Sequence, residues 1–348
     1  MKRRTIFIAA VAAGLAGLGI AATLPGGSLA VPAAAALPLS STPLPLNRDD
    51  PAANRIGALR FMGAVQLRSS NALFGGLSGL RWRNGWLMSV SDTGNWVMFR
   101  PVERGGRLVG VGAGVIAPIL MADGRPAPDK ETGDAEALEW PGDGDDTAGI
   151  VFEQDHRLQV YPGIDPDHPQ SFAQAPAHVY RYNGTADWPA NGGGEAFVQL
   201  DGTAELIFAE TARGADGAHD VLLLSDRGNV RLGYRPPDGF SPTDAVLLDT
   251  GRLLVLNRRF TATGGIGAAL VLVDLAPLNA ARAAGRVPAG LELKWRELAR
   301  WQPPFTLDNM EGLALRREAG RVFLYIVSDD NLNGLQRTLL MKFELVLP

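Results

Sequence analysis

A short phrase centred on a polar residue recurs five times in the chain, and each copy opens an apolar run. The copies occupy 76–80, 134–138, 193–197, 242–246 and 309–313, and their central residues are Ser78, Glu136, Glu195, Asp244 and Glu311. Four carboxylates brought to one place repel each other strongly unless a cation neutralises them. The pattern therefore predicts a metal site, provided that the fold gathers the five phrases together.

The spacing of the phrases indicates how the fold gathers them. Successive central residues are 58, 59, 49 and 67 residues apart. A loose period of this size is typical of a β-propeller, in which each blade is one supersecondary unit and its innermost strand lines a central channel. We therefore predict an all-β fold consisting of a single β-propeller.

The residue types favour calcium in this channel. Hard oxygen ligands without His or Cys suit Ca²⁺ better than a transition metal. The predicted ligands are Glu136, Glu195, Asp244, Asn309 and Glu311, and Asp308 could add a further oxygen. The alternative is that some of these carboxylates bind strand backbones or arginines and hold neighbouring blades together.

A second group of polar residues follows the second strand of several blades and should share one rim of the channel. Its members are Asp92, Arg157, Arg258, Arg259, Asp329, Asp330 and Asn331. Arginines among acids could bind an anionic substrate group. Equally, they could form salt bridges to the acidic ring that only fix the structure.

His156 is the candidate for proton transfer, because it is the only one of the four histidines within a repeat element. The alternative for a lone loop histidine is a surface position without a catalytic role. His168 and His178 belong to a Pro-rich insertion, 162–178, that could cover a channel mouth as a lid.

The two ends of the chain suggest its organisation. Residues 1–30 read as an export signal, because a basic start precedes an apolar stretch and a small-residue cleavage site, and Arg3-Arg4 hints at the twin-arginine route. An uncleaved anchor is the alternative. Residues 31–55 are expected to be a flexible lead-in, and 56–348 the propeller. The expected location is the periplasm or the cell exterior.

Composition excludes several functions. A net charge of −4 offers no attraction to nucleic acid, and no stable membrane span is expected after signal cleavage. The chain has no cysteine, which removes thiol catalysis and cysteine-ligated metals. We expect a monomer that acts on a small anionic or ester substrate.

Six blades are favoured, with five or seven as alternatives. Strands at 221–226 and 230–234 lie between the third and fourth phrases, so the third blade is long or a sixth blade is degenerate. Leu59–Leu67 is expected to close the ring against the C-terminal blade, and Asn279–Gly285 to be a short helix. A β-sandwich with accidental similarity among its strands is the alternative fold.

These phrases, in this order, resemble the bacterial phytase-like family, described as "esterase-like activity of phytase". The resemblance covers about 60–345 and rests on the phrases together with Ser91-Asp92-Thr93-Gly94, Asn257-Arg258-Arg259-Phe260 and Ser328-Asp329-Asp330-Asn331. It implies an exported β-propeller that hydrolyses a phosphoester or carboxylester.

In that reading, a calcium ion polarises the substrate oxygen. Glu136 and Glu311 act as ligands or general base, His156 as proton carrier, and Arg157 and Arg258 stabilise developing negative charge. A non-catalytic propeller that binds a small ligand or a cell-envelope partner is the alternative.

Overall fold

Each recurring phrase begins the innermost strand of a separate β-sheet. The computed structural model describes residues 34–141, 146–261 and 265–347. In chain order the strands are β1 (Ala35–Leu37), β2 (Leu39–Leu44), β3 (Arg55–Ile56), β4 (Leu59–Ser69), β5 (Leu77–Arg83), β6 (Trp86–Ser91), β7 (Asn95–Arg104), β8 (Arg107–Pro118), β9 (Ala135–Glu139), β10 (Ala148–Phe152), β11 (Arg157–Tyr161), β12 (His178–Arg181), β13 (Gly194–Asp201), β14 (Ala204–Arg213), β15 (His219–Ser225), β16 (Val230–Tyr234), β17 (Ser241–Asp249), β18 (Arg252–Thr261), β19 (Gly265–Asp274), β20 (Glu292–Leu293), β21 (Trp295–Trp301), β22 (Asn309–Glu318), β23 (Arg321–Asp329) and β24 (Leu339–Leu345).

The strands form five blades around one channel. From the channel outwards their orders are β5-β6-β7-β8-β1, β9-β10-β11-β12, β13-β14-β15-β16-β20, β17-β18-β19-β21 and β22-β23-β24-β4-β2. The innermost strands contact one another in a closed ring, β5-β9-β13-β17-β22. The predicted all-β propeller is confirmed, and the apolar core lies between adjacent blades.

The favoured count of six blades is corrected to five. The strand pair between the third and fourth phrases is β15 and β16, which are the third and fourth strands of the third blade. The short strand β20 then adds to β16 in parallel. The third blade is therefore long, which was one of the two readings of this segment.

The N-terminal segment is part of the propeller. Residues 31–55 were expected to be a flexible lead-in, but β1 pairs with β8 of the first blade and β2 pairs with β4 of the fifth. Leu37 and Leu46 are fully buried, so apolar packing holds this segment in place. Pro43 is tolerated because β2 is an outermost strand, where a missing N–H breaks no ladder on its free side. As predicted, β4 closes the ring by pairing with β24.

Within 34–141, 146–261 and 265–347, two helices and one turn of 3₁₀ helix lie in the connections. The helices are α1 (Lys130–Gly133) and α2 (Ala276–Ala283), the latter close to the predicted 279–285. The insertion 162–178 follows β11, which runs away from the end where the phrases begin. It therefore lies at the opposite end of the channel, where Asp167 accepts a hydrogen bond from Trp86 Nε1 at 3.1 Å. The insertion therefore does not cover the end of the channel at which the phrases begin. In the described residues, no helix is long and apolar enough to cross a membrane.

A buried ion pair closes the channel below the phrases. Arg81 Nη1 donates to both carboxylate oxygens of Asp244 at 3.0 Å, and Arg81 Nε donates to Glu139 Oε1 at 3.2 Å. Arg81 is 3% exposed and Asp244 is 0% exposed. The guanidinium also donates to the backbone carbonyls of Leu80, Phe197, Ala245 and Leu313. One side chain from the first blade thus bonds residues of all five blades.

Asp244 completes this connection through backbone N–H groups. Its carboxylate accepts from Leu80 N at 3.1 Å, from Leu313 N at 2.7 Å and from Ala245 N at 2.7 Å. Burial raises the pKa of Asp244 to about 6, and Arg81 opposes this rise. Every oxygen of Asp244 therefore has a partner in the protein.

Removing the guanidinium should leave Asp244 as an uncompensated buried charge. We expect Arg81→Met to lower the free energy of unfolding by about 3–5 kcal/mol, measured by urea denaturation at pH 7. The control is Arg252→Met, which breaks the exposed pair with Asp249 and should cost about 1 kcal/mol or less. Equal losses in the two variants would contradict a central role for Arg81.

A second prediction concerns Glu205, which is 1% exposed below the ion pair. Burial raises the pKa of Glu205 to about 8, and the nearby Glu139 adds to the rise. Because folded Glu205 then binds a proton that the unfolded state releases, this residue should contribute a fall in stability as pH rises from about 4.5 to about 8, by up to about 1.4 kcal/mol per pH unit. Glu205→Gln should remove this contribution and leave that of the other buried carboxyls.

Urea unfolding at pH 5, 6.5 and 8 measures the effect, with the exposed Glu297→Gln as the control. The Glu205→Gln variant should gain stability relative to the wild type as pH rises. Parallel pH dependences of variant and wild type would show that Glu205 does not titrate in this range.

Candidate functional site

Three glutamates from the phrases lie at equivalent positions of their inner strands. The register of β9, β13 and β22 shifts by one residue at Glu136, Glu195 and Glu311, so each glutamate stands at a β-bulge. In the first blade Ser78 is paired with Val90 and the register shifts after it, and the Ser78 hydroxyl donates to Glu136 Oε2 at 2.7 Å. Bulges commonly redirect side chains beside functional sites.

The register corrects the assignment in the fourth blade. There the shift lies between Pro242 and Asp244, so Thr243 is the counterpart of the three glutamates. The Thr243 hydroxyl donates to Met310 O at 3.0 Å. Asp244 lies one residue further along and binds Arg81. Its prediction as a metal ligand is therefore replaced by the structural role that was the alternative.

A second set of charged residues stands where the second strand of each blade reaches the same end of the channel. The backbone N–H groups of Asp92, Glu153 and Glu210 donate to inner-strand carbonyls at 2.8–2.9 Å, and Arg258 and Asp329 pair with Ser241 and Asn309. We call this end of the channel, with Asp134 and the three phrase glutamates, the acidic mouth. Its members are Asp92, Asp134, Glu136, Glu153, Glu195, Glu210, Arg258, Glu311 and Asp329.

Three carboxylates of the acidic mouth converge closely enough to hold one metal ion. One ligand oxygen from each of Asp134, Glu136 and Glu153 lies within 4.8 Å of the others. Asp134 is 1% exposed, and its Oδ1 is buried without a hydrogen-bond partner. Lys130 Nζ lies 3.6 Å from this oxygen, beyond hydrogen-bond distance, so the buried acceptor is only partly compensated.

The electrostatics show how crowded these carboxylates are. Burial, together with Asp134, raises the pKa of Glu136 well above its usual range. Burial also raises the pKa of Glu153, although the N–H groups of Gly192 and Gly193 both donate to its Oε1 and oppose the rise. Each shift means that the site disfavours an additional negative charge when no cation is bound.

Glu195 and Glu311 extend the crowding around the channel. Burial raises the pKa of Glu195 far above its usual range, and Glu136 adds to the rise. Burial raises the pKa of Glu311 to about 8, although Arg258 opposes the rise. Glu311 Oε2 is buried without a hydrogen-bond partner.

Two cations lie on opposite sides of the acidic mouth. Arg258 donates to Glu210 Oε1 at 2.6 Å and to Asn309 Oδ1 at 2.9 Å, and its Nε lies 3.1 Å from Glu311 Oε1. Lys130, in α1, places Nζ 2.7 Å from Asp92 Oδ2 and 3.6 Å from Asp134 Oδ1. Two cations against eight carboxyl groups leave the mouth strongly acidic.

Several predicted residues lie at or beside this mouth. They are Ser78, Asp92, Glu136, Glu195, Arg258, Asn309, Glu311 and Asp329. The Asn309 amide is engaged by Arg258 and, through Nδ2, by Asp329 Oδ2 at 3.5 Å. His156 lies nearby, since its ring fills the space beside Gly193, two residues before Glu195. The same ring packs edge-to-face against Trp188. Its Nδ1 is buried without a hydrogen-bond partner.

Other predicted residues have structural partners away from the acidic mouth. Arg157 is buried, stacks 4.1 Å over the Phe152 ring and bonds Asp155 and the Thr132 carbonyl. Asp308 pairs with Arg337 at 3.1 Å. Arg259, Asp330 and Asn331 bond Gln302, Thr338 and Gln336. Arg157 therefore has a structural role, but its salt bridge is to Asp155 and not to the acidic ring as the alternative had it.

Sequence reasoning missed Asp134, Glu153, Glu210 and Lys130. Glu153 directly follows β10 as Asp92 follows β6, and Glu210 lies at the corresponding level within β14, so aligning the second strands of the blades would have found both. Asp134 opens the second phrase itself, two residues before Glu136. Lys130 carries no sequence signal, because it reaches the mouth from the short helix α1 in a connection.

The repulsion among the carboxylates of the acidic mouth can be tested by replacing Arg258. Arg258→Met should destabilise the protein more at pH 8 than at pH 5, because the carboxylates around it repel more strongly when they are ionised. Arg258→Lys, which keeps the charge, should show a smaller dependence on pH. Thermal unfolding at the two pH values measures this, and a loss for Arg258→Met that does not change with pH would contradict the electrostatic role.

Solved structures show only distant similarity to this chain. A Malassezia sympodialis allergen, Mala s 1, is 8% identical over 78% of this chain and 93% of its own, with a TM-score of 0.43. A thermostable family-43 glycoside hydrolase is 10% identical over 77% of this chain and 89% of its own, with a TM-score of 0.42. At these TM-scores the likeness carries no argument about function. No curated protein matches the sequence.

A family model provides the assignment. The model described as "Phytase-like: Esterase-like activity of phytase" matches residues 72–332, which include all five phrases and the whole acidic mouth. The chain belongs to the phytase-like family.

Proposed function

We propose that the protein is a hydrolase of a phosphoester or a carboxylester, assisted by a calcium ion in the acidic mouth. The observation that carries this proposal is the convergence of Asp134, Glu136 and Glu153 within 4.8 Å at one end of the channel. Family membership supports the reaction class. The opposite end of the channel is separated from the mouth by Arg81 and Asp244.

The residues present fit a calcium ion. The donor set consists of carboxylate oxygens without His or Cys, which is the chemistry that hard cations prefer. Asp134 Oδ1 is a buried acceptor without a hydrogen-bond partner, and the neighbouring carboxylates carry raised pKa values. Asp134, Glu136, Glu153 and Glu195 would hold the ion. When bound, it would polarise the ester oxygen as a Lewis acid.

The chain's own residues would perform the remaining tasks. Arg258 presents a guanidinium at the mouth, fixed by three partners, and would stabilise negative charge that develops on the substrate. Glu311 lies against Arg258 and would hold or move a proton at Oε2, which has no hydrogen-bond partner. His156 remains a candidate for proton transfer at Nδ1.

The calcium proposal predicts a near-stoichiometric ion in the purified protein. Chelation should lower the unfolding midpoint, because an ion at a hundred times its Kd stabilises the folded state by about 2.7 kcal/mol. Glu136→Gln should reduce calcium content and abolish the chelator effect. Elemental analysis and thermal unfolding with and without chelator measure both.

Glu205→Gln is the matched control, because it neutralises a buried carboxyl at the other end of the channel and should leave calcium content unchanged. Absence of metal with an unchanged midpoint would refute the calcium proposal. Turnover of carboxylesters or phosphoesters, screened with calcium present, tests the reaction. A saturable ligand without turnover would favour the non-catalytic binding propeller.

We also propose that the protein is exported and acts as a monomer. The support for export is the basic and apolar sequence of residues 1–30, which lie outside the described residues. N-terminal sequencing of the protein recovered from the periplasm or the medium tests cleavage near residue 30, and sedimentation velocity tests the monomer.

A further inference from the structure

A groove runs along the rim of the channel between the fourth and fifth blades, on the same face as the acidic mouth. Its volume is about 840 Å³. One part of its wall is apolar and includes Phe260, Ile266, Pro304, Phe305, Leu307 and Leu335, and the rest is polar. A concavity of this size that combines an apolar wall with polar groups is typical of a small-molecule site.

Two of these apolar side chains are unusually exposed. Phe260 is 67% exposed and Leu335 is 91% exposed. They project from different blades, Phe260 from β18 and Leu335 from the connection between β23 and β24, and both border the same groove. Large apolar side chains exposed at the edge of a groove indicate a binding surface, because a ligand that covers them removes apolar area from water.

The charges of the groove balance. Arg48 and Arg337 line it together with Asp49 and Asp308, and Arg337 already pairs with Asp308 at 3.1 Å. A doubly charged phosphate would gain no net attraction there and would meet the acidic mouth beside it. The groove therefore suits an uncharged, apolar group.

The groove lies beside the acidic mouth, one residue along the chain from it. Asp308 lines the groove, and the next residue, Asn309, accepts a hydrogen bond from Arg258 Nη1 at 2.9 Å. Arg258 in turn contacts Glu311 and Glu210. A substrate lying in the groove would thus place its polar end beside the residues to which we assign the chemistry.

We propose that the substrate is a neutral carboxylester whose extended apolar chain lies in this groove, with the ester directed to the acidic mouth. This inference rests on the proposed hydrolase function. It names the substrate class that the proposed function leaves open, because a small phosphoester would leave the apolar groove unused.

Turnover of a series of p-nitrophenyl esters, from butyrate to decanoate, tests the proposal. In the wild type, kcat/KM should rise about three- to fourfold per added methylene until the groove is filled, since each buried methylene contributes a constant increment. The double variant Phe260→Ser/Leu335→Ser should reduce this rise to less than about 1.5-fold. Val179→Ser, which removes a 40% exposed valine from an outer strand of the second blade, is the control and should keep the wild-type rise.

A binding measurement separates the groove from the reaction. The neutral fluorescent probe Prodan should bind the wild type and be displaced by 2-dodecanone, a non-hydrolysable relative of the ester, and both effects should weaken at least tenfold in the double variant. Binding without turnover of any ester would support the groove and refute the hydrolase.

Turnover without dependence on chain length would refute the groove and leave the hydrolase standing. Prodan binding that weakens as protein concentration rises would overturn the proposal in favour of a second copy of the chain in the groove.

Discussion

The contact between Arg81 and Asp244 is the constraint on which the architecture of the channel depends. A propeller's inner strands have no hydrogen-bond partner across the channel, so something must fill that space and satisfy the polar groups that face it. Here one guanidinium and one carboxylate meet that need, because together they bond backbone or side-chain groups from every blade. The inner strands are thereby held at a common level. Ser78, three residues before Arg81, and the equivalent residues of the other four inner strands therefore lie together at one end of the channel. The carboxylates of the acidic mouth are held close together because Arg81 and Asp244 tie the inner strands to one another below them.

That fixed level explains how so many acids tolerate each other. The three bulge glutamates cannot move apart, since their strands are tied beneath them, and burial makes their mutual repulsion expensive. Arg258 and Lys130 relieve only part of it. In the fourth blade the bulge position is the neutral Thr243, and the acid lies one residue deeper, where Arg81 meets it. The chain thus divides its carboxylates between two levels: a compensated one that holds the ring and an under-compensated one that is suited to a cation.

Much of this was predictable from the sequence, and the failures have physical causes. The phrases identified all five inner strands, because in each of them a polar residue near the end of the channel precedes the buried residues of the strand. Asp244 was misassigned because a one-residue bulge changes which side chain faces the mouth, and the amino-acid order alone does not show where the bulge lies. The long third blade looked like two blades because β15 ends in the same Ser-Asp pair as other second strands. The lead-in looked flexible because alanine and proline carry little strand signal, whereas two buried leucines hold it in place. Arg81 had no signal at all, since its partners come from five distant segments.

The pairing of β4 and β2 with β24 has a consequence for biogenesis. The fifth blade takes two of its strands from the start of the chain and three from its end, so β4 has no partner on one side until residues 339–345 have left the ribosome. Until then, the four preceding blades form an open arc with an unpaired edge that invites pairing with other chains. Synthesis of the last ten residues is therefore the step that turns an aggregation-prone arc into a closed ring. Truncations at the C-terminus should be far more harmful to the yield of soluble protein than their small number of residues suggests.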